Sequence, residues 1–405
     1  MSEITIKRLG HHGDGVADGP VFVPRVLPGE VVTGTFEKNR LLAPKIVTPS
    51  PSRVAPSCRH YASCGGCALQ HASDAFVANW KVDLVRSALQ AHGISAPIAD
   101  VHTSLPGTRR RASLSGRRTK KGALVGFHAP QSDVIAGIEM CQILHPDILA
   151  LVPHLDVLTR EIASRKGEVR FAVTATQTGL DLAVSGGKQL SLDLRSRLAV
   201  FCEIADLARL TWDDETIAER RPPMVEIGTA LVPIPPGAFL QATKDGQVAL
   251  QDAVLRSLCG ARRVADLFAG CGTFALSIAR QAEVHAVEGV ADLLHALDAG
   301  WRHASGLKKV TPERRDLFRQ PLTPQDVEGF DAVVLDPPRA GAELQTKMLA
   351  DARVPTIASV SCNPVTFARD SAILTRAGYT LTRIDVVDQF RWSPHVELVG
   401  AFSLA

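Results

Sequence analysis

Cys362 follows a short apolar run, residues 357–360, whose partly β-branched composition predicts a buried strand. The sequence Ser-Cys-Asn-Pro at residues 361–364 then breaks the strand and puts the thiol at its carboxyl end. Ligands of open α/β sheets bind at that end of the strands, so Cys362 is a candidate nucleophile. A lone cysteine in an apolar setting is otherwise a small buried hydrophobe, and this stretch alone leaves both interpretations open.

A second group of thiols lies in the sequence Cys-Arg-His-Tyr-Ala-Ser-Cys-Gly-Gly-Cys, which contains Cys58, Cys64 and Cys67. The two glycines let the backbone fold tightly enough for neighbouring thiolates to converge on one centre. Cys141 is the best candidate for a fourth ligand, although it is distant in the sequence. Four thiolates suit either zinc or an iron–sulfur cluster, and the spacing does not choose between them.

A glycine-rich turn follows a predicted strand that begins near Arg263, and a helix is predicted after it through about Arg280. The next predicted strand, residues 284–287, ends at Glu288. Gly270 and Gly272 with this acid satisfy the dinucleotide fingerprint, so a nicotinamide enzyme is one alternative. The same arrangement also suits S-adenosylmethionine, because the glycines admit the ligand and the acid accepts hydrogen bonds from ribose hydroxyls. The turn alone therefore does not identify the cofactor.

A later predicted strand, residues 330–335, ends in Asp-Pro-Pro-Arg at residues 336–339. Asp-Pro-Pro at a strand end is typical of methyltransferases and has no role in hydride transfer. An aromatic residue after it would favour methylation of an exocyclic amine, but Arg339 stands there instead. A carbon such as C5 of a pyrimidine has no lone pair, so a nucleophile must first add at C6. Cys362 would meet that requirement.

A run of seven cations without an acid lies between the clustered cysteines and Cys141. Such a run is usually a solvated face, and the alternative is a phosphate-binding surface. Alternation in residues 111–114 and 122–128 predicts a β-hairpin that carries the charges. The run consists of Arg109, Arg110, Arg111, Arg117, Arg118, Lys120 and Lys121.

The 405-residue length predicts two or three domains, and the net charge of +3 says little about partners. The first residues lack the apolar core of a signal peptide, and no apolar run is long enough to span a bilayer. We therefore predict a cytoplasmic protein without a membrane partner. This compartment disfavours structural disulfides, so clustered cysteines become metal or catalytic candidates.

The pattern of elements predicts an α/β protein with three domains. Residues 1–52 contain short strands separated by glycine and proline, which suits an OB-like β-barrel. Residues 53–235 form a central α+β segment that includes the cysteine cluster and the cations. From residue 236 to residue 405, strand and helix signals alternate as in a Rossmann-like, doubly wound parallel sheet.

Together these residues resemble the class I RNA 5-methyluridine (m5U) methyltransferases, in particular the bacterial branch that modifies 23S ribosomal RNA. The resemblance covers nearly the whole chain. It implies a TRAM-like N-terminal barrel and a C-terminal domain that binds S-adenosylmethionine. Its anchors are the barrel pattern, the four cysteines, Gly-Ala-Phe-Leu-Gln at 237–241, the glycine turn, Asp-Pro-Pro-Arg-Ala-Gly at 336–341, Ser-Cys-Asn-Pro at 361–364 and His-Val-Glu at 395–397.

The resemblance also implies the roles of individual residues. A 4Fe-4S cluster would be bound by Cys58, Cys64, Cys67 and Cys141. The S-adenosyl-L-methionine site would be formed by Gln241, Phe268, Gly270, Thr273, Glu288, Asp316 and Asp336. Thr273 stands where many relatives carry asparagine. The tRNA-modifying branch typically lacks both the barrel and the cluster, which favours 23S rRNA as the substrate.

The expected reaction starts with a uridine flipped out of its RNA stack. Cys362 attacks C6, C5 receives the methyl group, and Glu397 removes the C5 proton before the thiol leaves. We expect RNA and not DNA as the partner, and a monomeric enzyme. The alternatives are a tRNA-directed methyltransferase, a non-catalytic RNA-binding protein on a methyltransferase fold, and the nicotinamide enzyme.

Overall fold

The computed structural model describes residues 3–404 and begins with a six-stranded sheet. Its strands are β1 (Ile4–Thr5), β2 (Arg8–Leu9), β3 (Gly15–Ala17), β4 (Val21–Val23), β5 (Val31–Glu37) and β6 (Arg40–Thr48), in the order β1-β5-β6-β4-β3-β2. Apolar side chains including Ile6, Val23 and Leu41 form its core. The buried Glu30 carboxylate lies 2.5 Å from the Arg53 guanidinium, which ties the following segment to this sheet.

The central part of the chain forms a seven-stranded sheet with two helices packed against it. Its strands are β8 (Arg111–Arg118), β9 (Ala123–His128), β10 (Ile135–Gly137), β11 (Glu168–Thr176), β12 (Gly179–Ser185), β13 (Leu207–Trp212) and β14 (Glu215–Glu219), and its helices are α2 (Pro146–Ile162) and α3 (Leu192–Ile204). Strands β8 and β9 pair antiparallel. The predicted hairpin is therefore confirmed.

An eight-stranded sheet forms the C-terminal part of the fold. Its strands are β17 (Arg263–Leu267), β18 (Glu283–Glu288), β19 (Val310–Arg314), β20 (Ala332–Leu335), β21 (Thr356–Ser361), β22 (Tyr379–Asp388), β23 (Glu397–Leu404) and β7 (Ile98–Thr103). The order is β19-β18-β17-β20-β21-β23-β22-β7. Strands β17 to β21 run parallel, and β23 runs antiparallel to both neighbours. This arrangement is an α/β doubly wound sheet with one reversed strand.

Helices cover both faces of this sheet. They are α1 (Asp74–Gln90), α4 (Lys244–Ser257), α5 (Ala275–Ile278), α6 (Ala291–His303), α7 (Glu343–Ala352) and α8 (Pro364–Arg376). Neighbouring residues of β17 enter opposite cores, because side chains alternate along a strand. Ala265 packs into the core that includes Phe367 of α8, and Val264 packs into the core that includes Leu250 of α4.

Two elements of the predicted central segment join the C-terminal layer. Strand β7 pairs in parallel with β22 at the sheet edge, and helix α1 packs on α8. A short hairpin of β15 (Met224–Ile227) and β16 (Ala230–Pro233) packs against α6. Among residues 3–404, no helix is both long enough and apolar enough to cross a membrane.

The strand order determines where a ligand can bind. Strands β18 and β19 lie on one side of β17, whereas β20 and β21 lie on the other. In open α/β sheets, ligands bind at the carboxyl ends of the strands where the order reverses. Because β23 is antiparallel to β21, its first residue lies at this same edge.

Candidate active site

Cys362 lies between the end of β21 and the start of α8. Asn363 caps the helix, since its side-chain oxygen accepts a hydrogen bond from the Val365 N–H at 3.1 Å, and Pro364 occupies the first helical position. The Asn363 amide nitrogen also donates to the Arg339 carbonyl at 3.1 Å, which joins this turn to the loop after β20. The half-buried thiol is thus held at the carboxyl edge of the sheet, as predicted.

Glu397 is the first residue of β23 and is 4% exposed. The pairing of Ser361 with Leu398 brings its strand alongside the end of β21, next to Cys362. Burial raises the pKa of Glu397 to about 8, and the nearby Asp336 carboxylate adds to the rise. A carboxylate with a pKa in this range suits a general base near neutral pH.

The loop after β20 brings two charges to the thiol. Burial raises the pKa of Asp336 to about 7. The pKa of Cys362 is also raised by burial, then by Glu397 and Asp336, whereas the Arg339 guanidinium opposes the rise. Arg339 also donates to the His395 imidazole at 2.7 Å, so its position between the two loops is fixed. Arg339 is therefore the group that can stabilise the Cys362 thiolate.

The glycine turn follows β17 and faces the end of β18. Phe268 has a φ of 63°, Gly270 a φ of 55° and Gly272 a φ of 92°, so the backbone bends sharply at each. The Gly270 N–H donates to Glu288 at 3.0 Å, and the Val290 N–H donates to its other oxygen at 2.9 Å. The turn and the acid at the end of β18 are thereby held together.

Three further predicted residues surround this turn and the neighbouring loops. The Phe268 ring packs against Phe318 with centroids 5.3 Å apart, and the Phe318 N–H donates to the Asp316 side chain at 3.0 Å. Thr273 contributes its backbone carbonyl, which accepts a hydrogen bond from the Gln251 amide at 2.7 Å. These contacts are internal to the protein, so the predicted S-adenosylmethionine contacts of these side chains stay predictions.

Asp266, just before the turn, is a fully buried carboxyl group that was not among the predicted site residues. Among the residues that the structure describes, its side-chain oxygens make no hydrogen bond of good geometry, although the Ala275 backbone N–H at the start of α5 faces the carboxyl group and opposes the rise of its pKa. Burial raises its pKa well above the ordinary value, and Asp336 adds to the rise. Because no surface of Asp266 is exposed, this carboxyl group is a buried neighbour of the glycine turn.

Gln241 connects the loop before α4 to the candidate base. Its side-chain oxygen accepts a hydrogen bond from Gln389 at 2.5 Å, and Gln389 also donates to Glu397 at 2.5 Å. Gln389 has no sequence motif of its own, and it was not predicted. Only the fold reveals it, because 148 residues separate it from Gln241.

The four predicted cluster ligands line one cavity of about 430 Å³. The Gly66 N–H points at the Cys64 sulfur at 3.3 Å, and the Ile143 N–H points at the Cys141 sulfur at 3.5 Å. Burial raises the pKa of the Cys67 thiol to about 12. Within residues 3–404, no three His, Cys, Asp or Glu side chains form a group that could hold a metal ion.

Residues 304–402 match the family tRNA (Uracil-5-)-methyltransferase. A protein of Brucella suis biovar 1 (strain 1330), named an uncharacterized RNA methyltransferase, is 46% identical over 404 residues, covering 99% of this chain and 97% of that protein. The 23S rRNA (uracil(1939)-C(5))-methyltransferase RlmD of Nitrosococcus oceani is 33% identical, covering 98% of this chain and 95% of that enzyme. The chain belongs to the RNA uracil-5-methyltransferase family. The predicted family and enzyme class are confirmed.

A solved structure supports the fold of this RNA uracil-5-methyltransferase over its whole length. The Pyrococcus abyssi tRNA (uracil-54, C5)-methyltransferase, in complex with S-adenosyl-L-homocysteine, superposes with a TM-score of 0.77. The two chains are 22% identical, and the match covers 99% of each. The predicted α/β methyltransferase fold is thus confirmed.

The structure corrects the interpretation of the basic run. Arg110 is 7% exposed, and its guanidinium donates to the Gln241 carbonyl at 3.0 Å and to the Gln247 side chain at 2.6 Å. Arg111 donates to the Leu240 carbonyl at 2.8 Å. Arg110 is therefore neither a solvated charge nor a phosphate ligand. Arg110 and Arg111 instead hold the loop at residues 240–241 by donating to its backbone carbonyls.

Proposed function

We propose that this RNA uracil-5-methyltransferase methylates C5 of a uridine in 23S rRNA. The observation that carries the chemistry is the meeting of Cys362 and Glu397 at one edge of the sheet, through the pairing of Ser361 with Leu398. A thiol alone would serve many reactions. A thiol beside a buried carboxyl group with a pKa of about 8 meets both needs of pyrimidine C5 chemistry, a nucleophile and a base.

In the first step, the Cys362 sulfur forms a bond to C6 of the uracil, and the electron pair of the C5–C6 bond moves onto C5 and O4. The thiol must lose its proton for this attack, and its raised pKa makes a nearby acceptor necessary. Asp336 is a nearby carboxylate that can take this proton, which leaves Glu397 ionised for the last step, and Arg339 stabilises the thiolate that results.

S-adenosylmethionine, when bound, supplies the methyl group that the activated C5 attacks. Its binding would use the residues around the glycine turn, with the Glu288 carboxylate as an acceptor. Gln241, Phe268, Gly270, Thr273, Asp316 and Asp336 complete the proposed site. The Glu288 carboxylate beside the glycine turn supports this assignment, because the sulfonium compound carries ammonium and hydroxyl donors that a carboxylate can accept.

The last step needs a base for the C5 proton. We assign this role to Glu397, whose Oε1 is not the oxygen that accepts from Gln389. Removal of the proton restores the C5–C6 double bond and breaks the C6–S bond, so Cys362 leaves as a thiolate. A general base of this pKa is effective near the pH of the cell.

We further propose that Cys58, Cys64, Cys67 and Cys141 hold a 4Fe-4S cluster. Each thiolate of such a cluster binds a different iron, so the sulfurs do not converge on one ion. The shared cavity and the two N–H groups that point at sulfur support this donor set. The cluster would join residues 58–67 to the segment around Cys141 and supply no electron to the reaction.

Iron content tests the cluster separately from activity. Cys67→Ser should lose iron and the visible absorbance of the anaerobically purified protein. Cys259→Ser is the matched control, because Cys259 is exposed and lies outside the cavity. Equal iron content in both variants and the wild type would contradict the assignment.

The proposed substrate rests on the full-length relative that modifies 23S rRNA. The N-terminal sheet, as a TRAM-like OB barrel, and the central segment would bind the RNA. The proposed domain bounds are 1–52, 53–235 and 236–405, with α1 and β7 of the central range packed in the C-terminal layer. A cytoplasmic location and a monomeric state complete the proposal. A tRNA substrate is the second candidate, because the matching family is named for tRNA.

Mass spectrometry of RNA fragments from cells with and without this gene distinguishes the two substrates. Loss of one methyl group from a uridine in 23S rRNA is the expected result. Loss of a methyl group only from a uridine in transfer RNA would support the proposed reaction but identify tRNA, and not 23S rRNA, as the substrate. No loss in either RNA would leave the RNA-binding protein as the better interpretation.

A further inference from the structure

Gln389 follows strand β22 and is 2% exposed. Its side-chain oxygen accepts hydrogen bonds from the backbone N–H groups of Ala242 at 2.6 Å and Thr243 at 3.4 Å. Its side-chain nitrogen donates to Gln241 and Glu397, each at 2.5 Å. The carboxamide therefore uses both of its N–H donors and both acceptor positions.

The two backbone contacts determine which way the Gln389 amide points. A backbone N–H can only donate, so the atom that faces Ala242 and Thr243 must be the carbonyl oxygen. The amide nitrogen must then face Gln241 and Glu397, and both must present acceptors to it. For Gln241, this turns its own NH₂ group away from Gln389.

For Glu397, the contact occupies one carboxylate oxygen and leaves the other for the substrate. Hydrogen bonds to the ionised form of a carboxyl group favour that form. The charged groups that face Glu397 from neighbouring loops are Asp336, which disfavours ionisation, and Arg339, which favours it. Cys362 faces it from the end of β21. Of these neighbours, Gln389 is the one that donates a hydrogen bond to the Glu397 carboxylate.

The backbone at Gln389 is itself held on both sides. The Lys81 ammonium lies 2.5 Å from the Asp388 carboxylate and donates to the Phe390 carbonyl at 3.2 Å. Lys81 is 0% exposed and comes from helix α1, which lies outside the C-terminal segment. The residue between these two contacts has little freedom to move, so its side chain can act as a fixed donor.

We propose that Gln389 is a positioning residue that orients the Glu397 carboxylate for removal of the C5 proton and favours its ionised form. This inference rests on the proposed function, in which Glu397 is the base. It predicts that loss of the Gln389 donor impairs the proton-removal step, whereas binding of the methyl donor is retained.

The test uses the full-length protein and RNA that carries tritium at C5 of uridine, so that proton removal is measured as tritium release. Gln389→Met keeps most of the side-chain volume and removes the donor. The acid limb of the pH profile of kcat/KM should shift to higher pH by about one unit, because the ionised Glu397 carboxylate loses a hydrogen bond and its pKa rises. A covalent protein–RNA adduct should also accumulate.

Gln345→Met is the matched control. Gln345 is 1% exposed and makes two hydrogen bonds, accepting from the Leu322 N–H at 2.8 Å and donating to the Leu322 carbonyl at 3.1 Å. Loss of these two hydrogen bonds in Gln345→Met should lower the stability of the protein without shifting the pH profile of kcat/KM. If Gln389→Met does not fold, Gln389→Asn keeps a carboxamide but is shorter by one methylene, so it cannot both accept from the Ala242 N–H and donate to Glu397. That variant should move the acid limb upward as well.

An unmoved acid limb in a folded Gln389 variant would overturn the inference, as would an equal shift in Gln345→Met. The assignment of Glu397 as the base is tested by a separate variant. If Glu397→Gln releases tritium at the wild-type rate, Glu397 is not the base, and the proposed function must change. If Glu397→Gln releases no tritium and the Gln389 variants keep the wild-type pH profile of kcat/KM, only the proposed role of Gln389 is wrong.

Discussion

The buried ion pair between Lys81 and Asp388 allows a sharp test of the packing around the active site. The exposed fractions of the two side chains are 0% and 2%, and their charged atoms lie 2.5 Å apart. Lys81→Met preserves most of the packing volume but leaves the Asp388 charge buried without its partner. Removing one member of a buried pair destabilises a protein by about 3–5 kcal/mol.

A second variant separates charge from shape. The Asp388 carboxylate also accepts from the Phe390 N–H at 3.1 Å, and asparagine can retain that contact. The double variant Lys81→Met/Asp388→Asn leaves no buried charge at this position. It should therefore recover at least about half of the free energy of unfolding that Lys81→Met alone loses. Denaturant unfolding followed by tryptophan fluorescence measures the effect, since Trp80 and Trp392 lie beside the pair in the chain.

The control is an exposed ion pair on the same helix. Arg86 and Asp83 lie 2.6 Å apart, with side chains 53% and 63% exposed. Exposed pairs contribute about 0–1 kcal/mol, so Arg86→Met should change the unfolding midpoint little. If Lys81→Met destabilises the protein no more than Arg86→Met does, the reasoning about this buried pair is refuted.

Three further predictions concern the nucleophile, the glycine turn and the cations. Cys362→Ala should abolish methylation while calorimetry still detects binding of S-adenosylmethionine; residual methylation would exclude the nucleophile role. Gly272→Ala should lower the thermal unfolding midpoint and weaken binding of S-adenosylmethionine, because φ is 92° at this position and the new Cβ would lie 2.9 Å from the Leu276 side chain. An unchanged midpoint and an unchanged binding affinity would contradict this prediction. Neutralising Arg118, Lys120 and Lys121 should reduce the salt slope of RNA binding by about 2, whereas an unchanged slope would make them a solvated face.

Local patterns were sufficient for the strand and the helix that flank Cys362. The apolar run before Cys362 and the Asn-Pro after it identified a strand followed by a helix, because caps and proline act within a few residues. The alternating residues of β8 and β9 likewise identified a hairpin. Glu397 could be located only through the resemblance, since an acid at a strand start has no distinctive local signal.

The long-range contacts could not be predicted in the same way. Lys81 and Asp388 are 307 positions apart, and nothing in their neighbouring residues indicates a buried pair. Arg110 lies in a run of cations, which is typical of a surface, yet it is buried, and the distant Gln241 carbonyl and Gln247 side chain accept its protons. Strand β7 was assigned with the central segment and pairs instead with β22. Such contacts depend on which strands meet, and sequence periodicity does not contain that information.

The most direct test of the proposed reaction is a search for the covalent intermediate. Glu397→Gln is incubated with S-adenosylmethionine and a 23S rRNA fragment, and the denatured protein is digested and analysed by mass spectrometry. The proposal predicts that the peptide containing Cys362 carries a methylated uridine bound through sulfur. A trapped nucleotide on another residue, or normal release of methylated RNA with no adduct, would contradict it.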